Sequence, residues 1–437
     1  MNSFLKEIDE VELNSSIKGI PFVKNIKLKN IKKAKLNIIK ENVQFPILTL
    51  DKNKLENNIN ILKSFAKRNS LNLAPHCKTF MSPQIINEYF RNDWGVTISN
   101  NQQLSSIVKL NLKNIIYGNL IINRENLIQY LKICKKYKNI SNIYYCIDSP
   151  YGLKLLMNLI ETTNYKNDIK ILIELGFKNG RCGIRDFDSF KKILKIYNRK
   201  ISNITISGLF FYEGAIASND KRVISNKIEN IIKLTKLCHE ELIRENLYKN
   251  KNNIITAGGS VYFDLVTKYY HKYSFTNNPK LIIRPGSFIA YGHGYYEKKI
   301  DDIRKRKIIK KYISSKENIF LPSLLIWSHV ISINDDGKAI INFGKRDVSF
   351  DLGNPIPICI YRKNNFFKKI KNDKNLINVY KLNDQHAFLK YHKSLNLKIG
   401  DLISFGVSHP CITFDKWKYF YMINSKTDII NIYKTFF

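Results

Sequence analysis

The sequence predicts a (β/α)8 barrel followed by a mostly β domain. The chain of 437 residues is too long for one simple core, and its length suits a barrel of roughly 250 residues plus a second domain. From residue 46 onward, short runs of β-branched and aromatic residues alternate with longer segments in which Leu and Ile recur every three or four positions. After about residue 290 the helical segments give way to strand-like runs separated by turns.

Eight candidate strands, each followed by a helical segment, account for the predicted barrel. Strands at this spacing predict a parallel sheet, and eight of them permit closure. A doubly wound open sheet is the alternative, but no GxGxxG motif follows the first strand. We therefore assign residues 46–290 to the barrel. The candidate strands are 46–51, 71–77, 94–99, 114–119, 142–148, 170–176, 205–212 and 253–259.

The remaining chain is divided between a β domain and an N-terminal segment. Runs such as PIPICIYR, DLISFGVS and WKYFYMINS are strand-like, so residues 291–437 are assigned to a mostly β domain. Residues 1–45 precede the first candidate strand, and they either join the β domain or wrap the barrel.

The formal net charge of +36 would ordinarily suggest a nucleic-acid partner. Lys, Asn, Ile, Tyr and Phe are instead abundant along the whole chain, and the densest basic run, residues 304–312, has no nucleic-acid-binding motif beside it. We therefore expect no nucleic acid partner and keep a basic nucleic-acid-binding protein as a remote alternative. That alternative would show itself as filter binding at physiological salt.

Cysteine usage and hydropathy indicate a cytoplasmic protein. Seven cysteines are scattered without CxxC pairs, which is typical of a reducing compartment. The N-terminus is acidic and interrupted by polar residues, and no apolar run approaches about 18 residues. We expect a soluble protein without a membrane partner.

The stretch APHCKTFMSPQ contains the first candidate functional group, Lys78. In an extended segment alternate side chains share a face, so His76 and Lys78 are predicted to point the same way. At the carboxyl end of a barrel strand, side chains that point this way face the mouth of the barrel. A partly desolvated lysine there is a usable nucleophile. A partly exposed lysine at a strand end is the alternative interpretation. His76 is expected to orient the site rather than to act as its main acid or base.

Two further motifs carry candidate ligands. In TAGGSVYFD, Gly258, Gly259 and Ser260 let the backbone approach an anion before a helix begins, although an ordinary strand-to-helix turn has the same composition. A phosphate site and a lysine in one barrel suit a pyridoxal phosphate enzyme. In SHPCITFDKW, His409 and Cys411 would share one side of a strand, and imidazole with thiolate suits zinc. A buried Cys beside a hydrogen-bonded His is the alternative.

Eight strings in order along the chain carry a family resemblance. Together they resemble the fold-type III pyridoxal phosphate enzymes, and within them the D-serine dehydratase-like group of D-amino-acid deaminases. That group is related to D-threonine aldolases and more distantly to alanine racemases. The matches run from residue 46 to about 425. They are APHCKTFMSPQ, WGVTISNNQQL, ELGFKNGRCGI, GLFFYEG, TAGGSVYFD, LIIRPGSFIAYGHGYYE, NDQHAFL and SHPCITFDKW.

The resemblance implies a reaction, two cofactors and a set of site residues. The implied reaction is β-elimination from a 3-hydroxy D-amino acid, D-serine first, to pyruvate and ammonia; retro-aldol cleavage of D-threonine is the alternative. It also implies an alanine-racemase-like barrel with a C-terminal β domain, often as a homodimer. Lys78 would hold pyridoxal phosphate covalently, Gly258, Gly259 and Ser260 would bind its phosphate, Tyr212 would lie against its ring, Arg181 would stand near the ring or the substrate carboxylate, and His409 and Cys411 would bind Zn2+.

Two features bear on the choice between these reactions. Where the commoner dehydratase and aldolase pattern has a histidine soon after the lysine-threonine pair, this chain has Phe80-Met81, which leaves the substrate open. An H-x-C pair resembles the zinc dehydratases, whereas D-threonine aldolases tend to present an acidic residue at the second position. Cys411 therefore favours elimination.

Three residues have open roles. Arg284 occupies the position at which the alanine racemases have an arginine near the ring nitrogen of the cofactor. His293 either approaches the site or caps a loop, and His386 is expected to make a buried hydrogen bond rather than to bind metal.

Overall fold

The computed structural model describes residues 2–197, 203–248, 253–309, 320–334, 336–370 and 373–437. Its helices are α1 Ser3–Asp9, α2 Lys52–Arg68, α3 Pro83–Phe90, α4 Asn101–Ile107, α5 Arg124–Tyr137, α6 Pro150–Thr162, α7 Phe187–Ile196, α8 Lys221–Arg244, α9 Phe263–Lys272, α10 Tyr295–Arg306 and α11 Pro410–Asp415. Its strands are β1 Glu12–Leu13, β2 Ile26–Lys27, β3 Ile47–Asp51, β4 Asn72–Leu73, β5 Val96–Ile98, β6 Asn114–Tyr117, β7 Asn142–Ile147, β8 Ile169–Leu175, β9 Ile204–Phe211, β10 Ile254–Ala257, β11 Lys280–Ile283, β12 Leu324–Asn334, β13 Lys338–Ile341, β14 Ile356–Arg362, β15 Asn365–Lys369, β16 Ile377–Leu382, β17 Ala387–Tyr391, β18 Leu402–Gly406, β19 Tyr419–Ile423 and β20 Ile429–Lys434.

Eight parallel strands form the barrel in the order β4-β11-β10-β9-β8-β7-β6-β5. The ring closes between its first and last strands, because His76 forms a parallel bridge with Thr97 and the Thr97 amide donates to the Pro75 carbonyl at 3.0 Å. Short polar side chains cap the helices that follow most strands; the Asp51, Asn100, Asn123, Ser149, Asp186 and Asp220 side chains accept from the first turns of α2, α4, α5, α6, α7 and α8.

Side chains from alternate strand positions fill the barrel interior. One layer is apolar and sits below the carboxyl ends of the strands. Two residues further along several strands, where the side chains again point inward, polar groups replace the apolar ones. The apolar layer consists of Ala74, Ile116, Tyr144, Cys146, Leu172, Phe210, Ile254 and Ile282.

The second domain is a ten-stranded sheet of mostly antiparallel strands. Its main path is β15-β14-β18-β12-β13-β17-β16. Off this path, β3 pairs with β12 and β19, and β19 pairs with β20. The predicted barrel and mostly β domain are confirmed. Within the described residues, no helix is long and apolar enough to cross a membrane.

One predicted barrel strand is wrong. Residues 47–51 pair antiparallel with β12 and parallel with β19 in the β domain, and Lys280–Ile283 is the eighth barrel strand. The error has a physical cause, since a short apolar run buried on both faces has the same composition in either sheet.

The N-terminal segment contacts both parts of the molecule. The Ile38 amide donates to the Thr427 carbonyl at 3.1 Å in the β domain, and Tyr421 Oη donates to the Gly19 carbonyl at 2.9 Å. At the other end of the segment, Asn2 Nδ2 donates to the Lys109 carbonyl at 2.9 Å, beyond α4 on the barrel.

The C-terminal strand of the β domain is anchored to the barrel beside Lys78. The Phe436 amide donates to the Met81 carbonyl at 2.9 Å. Nearby, the Lys434 amide donates to Gln84 Oε1 at 2.8 Å, and Tyr433 Oη donates to Glu88 Oε2 at 2.7 Å, both on α3. These bonds fix the β domain over the turn that carries Lys78.

Candidate active site

A cavity of about 310 Å³ opens at the carboxyl ends of the barrel strands. It brings together five residues to which the sequence analysis assigned a role in the site: Lys78, His76, Arg181, Tyr212 and Gly259. A larger cavity of about 880 Å³ between α10 and the β domain contains none of these five. The full lining of the smaller cavity is His76, Lys78, Ser99, Gly118, Asn119, Arg181, Cys182, Phe210, Tyr212, Gly259 and Arg284.

Lys78 reaches this cavity from a turn rather than from a strand. We expected extended chain through Lys78, but residues Cys77–Thr79 form one turn of 3-10 helix capped by His76. The exposed surface of Lys78 faces the cavity. Burial lowers the pKa of its amine, which the nearby Cys411 raises and the charges of Arg181 and Arg284 lower. The net lowering increases the neutral fraction of the amine, which is the nucleophilic form.

His76 shares the cavity as expected, and it is neutral. Burial lowers the pKa of its imidazole well below the usual value, and the charges of Lys78, Arg284 and Arg181 lower it further. Its Nδ1 accepts from the Lys78 amide at 3.4 Å. A neutral imidazole whose Nδ1 is an acceptor carries its proton on Nε2, so His76 can donate a hydrogen bond from that atom.

Arg181 stacks on Tyr212 at the cavity wall. The guanidinium carbon lies 4.9 Å from the centroid of the Tyr212 ring, a favourable cation–π arrangement. The loop that carries Arg181 folds back on its own strand, with the Gly176 amide donating to the Ile184 carbonyl at 2.7 Å. Asp148 Oδ2 accepts from the Gly183 amide at 3.1 Å and so fixes the position of this loop.

The two glycines predicted to bind phosphate are held by a carboxylate. Glu213 is fully buried and accepts from the amides of Gly258 at 3.2 Å and Gly259 at 2.5 Å. Gly258 has a φ of +77°, and a Cβ atom at Gly259 would lie 3.0 Å from the Tyr212 ring. The role of these glycines in phosphate binding stays a prediction, because their amides are engaged by Glu213 in this structure.

Other amides of the same region converge on Ser260. Its Oγ accepts from the amides of Gly286 and Ser287, both at 3.1 Å, and lies 3.2 Å from Ser287 Oγ. Tyr296 Oη reaches the Ser287 hydroxyl at 3.3 Å. Two backbone amides and three hydroxyl groups in one place form a set of donors that suits a phosphate.

Arg284 is buried against the barrel interior. Its guanidinium carbon lies 3.7 Å from the Phe210 ring centroid, and it donates to Thr256 Oγ1 at 2.8 Å and to the Phe211 carbonyl at 2.7 Å. Burial lowers the pKa of the guanidinium to about 10, against the attraction of Glu213 and other neighbouring groups. Arg284 therefore stays charged at neutral pH and lines the cavity as a fixed cation.

His409 and Cys411 lie on a helix rather than on a strand. Pro410 occupies the first position of α11 and His409 is its N-cap residue; proline at that position favours a helix start, which the sequence analysis missed. His409 Nδ1 donates to Asp351 Oδ2 at 2.6 Å. Cys411 Sγ lies 3.4 Å from Thr79 Oγ1, so the pair reaches the residue that follows Lys78.

The electrostatics of the pair favour a thiolate. Burial raises the pKa of the Cys411 thiol, but hydrogen bonds from His409 and Thr79 and the charges of His409 and Lys78 lower it by more. Burial likewise lowers the pKa of His409, and its bonds to Cys411 and Asp351 raise it above the usual value. The two side chains stabilise each other in their ionised forms.

The histidines with open roles lie outside the cavity. His293 lines the larger cavity, is buried, and has no partner for its Nδ1 atom within the described residues; burial lowers its pKa to about 3. His386 lies in the exposed turn between β16 and β17, so the expected buried hydrogen bond is wrong. Phe80 and Met81 are buried and do not line the cavity.

The residues of the smaller cavity fit pyridoxal phosphate. Lys78 offers an amine of lowered pKa for the aldehyde, and Arg181 and Arg284 offer positive charge. The amides that donate to Ser260 lie outside the lining, next to the lining residue Gly259, and are the candidate donors for a phosphate. The ring of Tyr212 supplies a flat apolar surface for the pyridine. The donor set therefore matches an anionic aromatic aldehyde.

The pair in the β domain fits zinc in an open site. Imidazole and thiolate are ligands that zinc prefers. His409 Nδ1 donates to Asp351, so Nε2 is the nitrogen that could bind the metal once it has lost its proton. Among the residues that the structure describes, no group of three or more His, Cys, Asp or Glu side chains could hold a metal. Catalytic zinc sites ordinarily have three protein ligands and one open position, so a metal on His409 and Cys411 would need a further ligand from water, cofactor or substrate.

Sequence reasoning missed several residues that shape this site. Glu213 follows Tyr212 directly, yet nothing in its spacing marks it as an acceptor for distant amides. Asp351 and Thr79 lie 58 and 332 residues from the side chains they contact. The RPGS string did contain a signal, since a glycine after a proline at a strand end marks a turn, and the amides of this turn are the ones that donate to Ser260 Oγ.

Replacing Glu213 with alanine is expected to lower the free energy of unfolding by about 3 kcal/mol, because two buried amides lose their acceptor. Chemical denaturation of the purified variant would measure this. Glu213→Gln retains one acceptor oxygen and should recover part of the loss. Glu161→Ala, at an exposed position of α6, is the control and should change stability by less than about 0.5 kcal/mol. Equal stability of Glu213→Ala and the control would contradict the structural role of Glu213.

Comparisons with known proteins find similar sequences and folds. Residues 323–423 match the family described as "Putative serine dehydratase domain". A D-threonine aldolase from Arthrobacter sp is 22% identical over 231 residues, which cover 52% of this chain and 59% of that relative. The chain thus spans about three fifths of the length of this curated relative.

Solved structures share the whole architecture. A D-threonine aldolase from Filomicrobium marinum superposes with a TM-score of 0.69 at 16% identity, covering 90% of this chain and 95% of the other. A D-threo-3-hydroxyaspartate dehydratase from Delftia sp. HT23 superposes with a TM-score of 0.66 at 13% identity, covering 91% and 98%. These findings confirm the resemblance drawn from the sequence: the chain has the fold of the fold-type III pyridoxal phosphate enzymes and is similar to their D-threonine aldolase and D-3-hydroxyaspartate dehydratase members.

Proposed function

We propose that this chain is an enzyme that uses pyridoxal phosphate and zinc to eliminate water from a 3-hydroxy D-amino acid, giving an enamine whose hydrolysis takes up water and releases ammonia and a 2-oxo acid. D-serine, which would give pyruvate and ammonia, is the substrate we favour. The family match of the second domain and the similarity to D-amino acid enzymes support an enzyme of this group. The choice of elimination and of D-serine is our inference from the site.

The observation that carries the proposal is the approach of Cys411 to Lys78 across the domain boundary. Cys411 Sγ lies 3.4 Å from Thr79 Oγ1, and Thr79 follows the cavity lysine directly. A metal held by His409 and Cys411 would therefore sit beside the amine that handles the substrate. Racemisation at Cα has no need of a metal beside the 3-position, so this arrangement favours loss of a 3-substituent.

The chain's own groups have separable roles. When bound, pyridoxal phosphate would supply an electron sink at Cα and zinc a Lewis acid for the departing hydroxyl group. Lys78 Nζ, with its lowered pKa, would accept the Cα proton. Neutral His76 would orient polar groups through its Nε2 proton, while Arg181 and Arg284 would bind the negative charge of cofactor and substrate.

Retro-aldol cleavage of D-threonine to glycine and acetaldehyde is the second candidate. The similarity to a D-threonine aldolase over half of the chain favours it. The two reactions differ in which bond of Cα breaks. In both, a metal would act near the 3-oxygen of the substrate. Detection of glycine rather than a 2-oxo acid would decide for the aldolase.

A coupled assay for pyruvate and ammonia tests the proposal. The purified protein, loaded with pyridoxal phosphate and Zn2+, would be supplied with D-serine, D-threonine or 3-hydroxy-D-aspartate, each with and without a chelator. We expect 2-oxo acid and ammonia in equal amounts from D-serine, and loss of both on chelation. Turnover of D-serine that survives complete removal of the metal would show that the zinc assignment is wrong.

We further propose a homodimer in the cytoplasm. Related enzymes with this fold often pair, and light scattering of the purified protein would give the mass directly. A mass of about one chain, 51.2 kDa, at the working concentration would contradict the dimer.

A further inference from the structure

A buried carboxyl group, Glu174, lies beneath the cavity and is not used by the mechanism above. It sits on β8 with only 2% of its surface exposed. Leu172, two residues earlier, belongs to the apolar interior layer, so the Glu174 side chain points into the barrel at the next level towards the mouth. It pairs in register with Phe210 on β9, the ring on which the Arg284 guanidinium stacks at 3.7 Å.

The second arginine, Arg181, lies in the loop that follows β8. The Ile184 amide donates to the Glu174 carbonyl at 2.9 Å, and Gly176 and Ile184 are also joined, so residues 176–184 fold back over the end of the strand. This fold places Arg181 and Cys182 at the cavity wall above the carboxyl group. The charges of both arginines act on Glu174, that of Arg181 from the loop after β8 and that of Arg284 from the residue directly after β11.

We propose that Glu174 is the counter-ion of Arg181 and Arg284 and that its protonation sets the charge that the cavity presents to anionic ligands. When the carboxyl group is ionised, it offsets one of the two guanidinium charges, and anions bind more weakly. When it is neutral, the full positive charge of both arginines acts on the ligand. That these anionic ligands are the cofactor and the substrate carboxylate rests on the proposed function.

The Glu174 carboxyl group gains or loses its proton near neutral pH. Burial raises the pKa of Glu174 to about 7 from its usual value of 4.5; Arg181 and Arg284 lower it and Asp148 raises it. The other titratable groups that face it are Cys146 on β7 and Cys182 in the loop, and burial raises the pKa of both thiols, so they stay neutral near pH 7. Glu174 is therefore the group among these whose charge changes between pH 6 and pH 8.

The test compares wild type with Glu174→Gln, which fixes the neutral form in nearly the same shape. Dissociation constants for pyridoxal phosphate would be measured at pH 6 and pH 8, and the ratio of wild type to variant cancels the titration of the ligand itself. We expect a ratio near one at pH 6 and tighter binding by the variant at pH 8, by about tenfold. Sulfate, which keeps its charge over this range, would be measured in parallel by calorimetry and should show the same trend.

Two further variants keep the test decisive. Glu174→Asp retains a titratable group and should keep the pH dependence of wild type, which a purely structural effect would not predict. Glu241→Gln, a buried carboxylate on α8 that pairs with Arg244, is the control and should leave the ratio at one at both pH values. A ratio for Glu174→Gln that is the same at pH 6 and pH 8, for either ligand, would overturn the inference. Wild type that binds sulfate but not pyridoxal phosphate would instead overturn the proposed function.

Discussion

Replacing Lys78 with alanine is expected to remove the visible absorbance of bound pyridoxal phosphate and to reduce D-serine turnover by about 10³-fold or more. Lys78 is the amine that extends into the cavity, and burial lowers its pKa, so both cofactor attachment and proton transfer depend on one atom. Absorbance spectra of the purified protein and the coupled pyruvate assay would measure the two losses separately.

The controls for this prediction separate charge from chemistry. Lys78→Arg keeps a positive charge in the cavity but cannot attach an aldehyde, and it should lose the absorbance as alanine does. Lys113→Ala, at an exposed position before β6, should keep both absorbance and turnover. Retention of the visible absorbance by Lys78→Ala would show that another amine holds the cofactor.

Much of the fold could be predicted because the barrel strands have a strong sequence pattern. Short β-branched runs at regular spacing predicted seven of the eight barrel strands near their observed positions, from Asn72–Leu73 to Ile254–Ala257. The eighth was misplaced because Ile47–Asp51 and Lys280–Ile283 are both short, apolar and followed by a polar segment. Sequence spacing does not report which sheet a buried strand joins, since that depends on pairing with distant residues such as Leu325.

The candidate site could be predicted only in its local parts. Lys78 and His76 were found because strand ends in a barrel share one mouth, whereas Arg181 and Tyr212 were expected only from the family resemblance. The contacts between them could not be found in this way, since Glu213 reaches the amides of Gly258 and Gly259 from 45 residues away. His409 and Cys411 were expected on a strand, and Pro410 is the physical reason that they start a helix instead.

The position of α11 shows why the second domain matters to the barrel site. Bonds from β20 and the residues after it to α3 and Met81 fix the β domain against the barrel. Through this contact the Cys411 sulfur meets Thr79, and the Lys78 charge helps to lower the pKa of the thiol. The cavity lysine and the candidate metal pair therefore influence each other although they lie more than 300 residues apart in the chain.

Replacing Cys411 with alanine is expected to remove the bound metal and to lower D-serine turnover by about 100-fold or more, while the absorbance of the bound cofactor is retained. The metal would lose one of its two protein ligands, and the thiolate is the one that carries negative charge. Zinc content by mass spectrometry measures the first effect without reference to activity. Retention of the cofactor matters, because loss of both groups would point to misfolding rather than to a missing ligand.

Asp351→Asn and Cys359→Ala make this prediction specific to the pair. Asp351 accepts the Nδ1 proton of His409 at 2.6 Å, and a weaker acceptor there should reduce metal affinity by about 10- to 100-fold without removing a ligand. Cys359, on β14 of the same domain, is also a free thiol and should be replaceable without loss of zinc. The expected order of zinc affinity is thus wild type and Cys359→Ala, then Asp351→Asn, then Cys411→Ala. Full zinc content in Cys411→Ala would show that the metal is held elsewhere, and the argument for elimination from the H-x-C pair would fail with it.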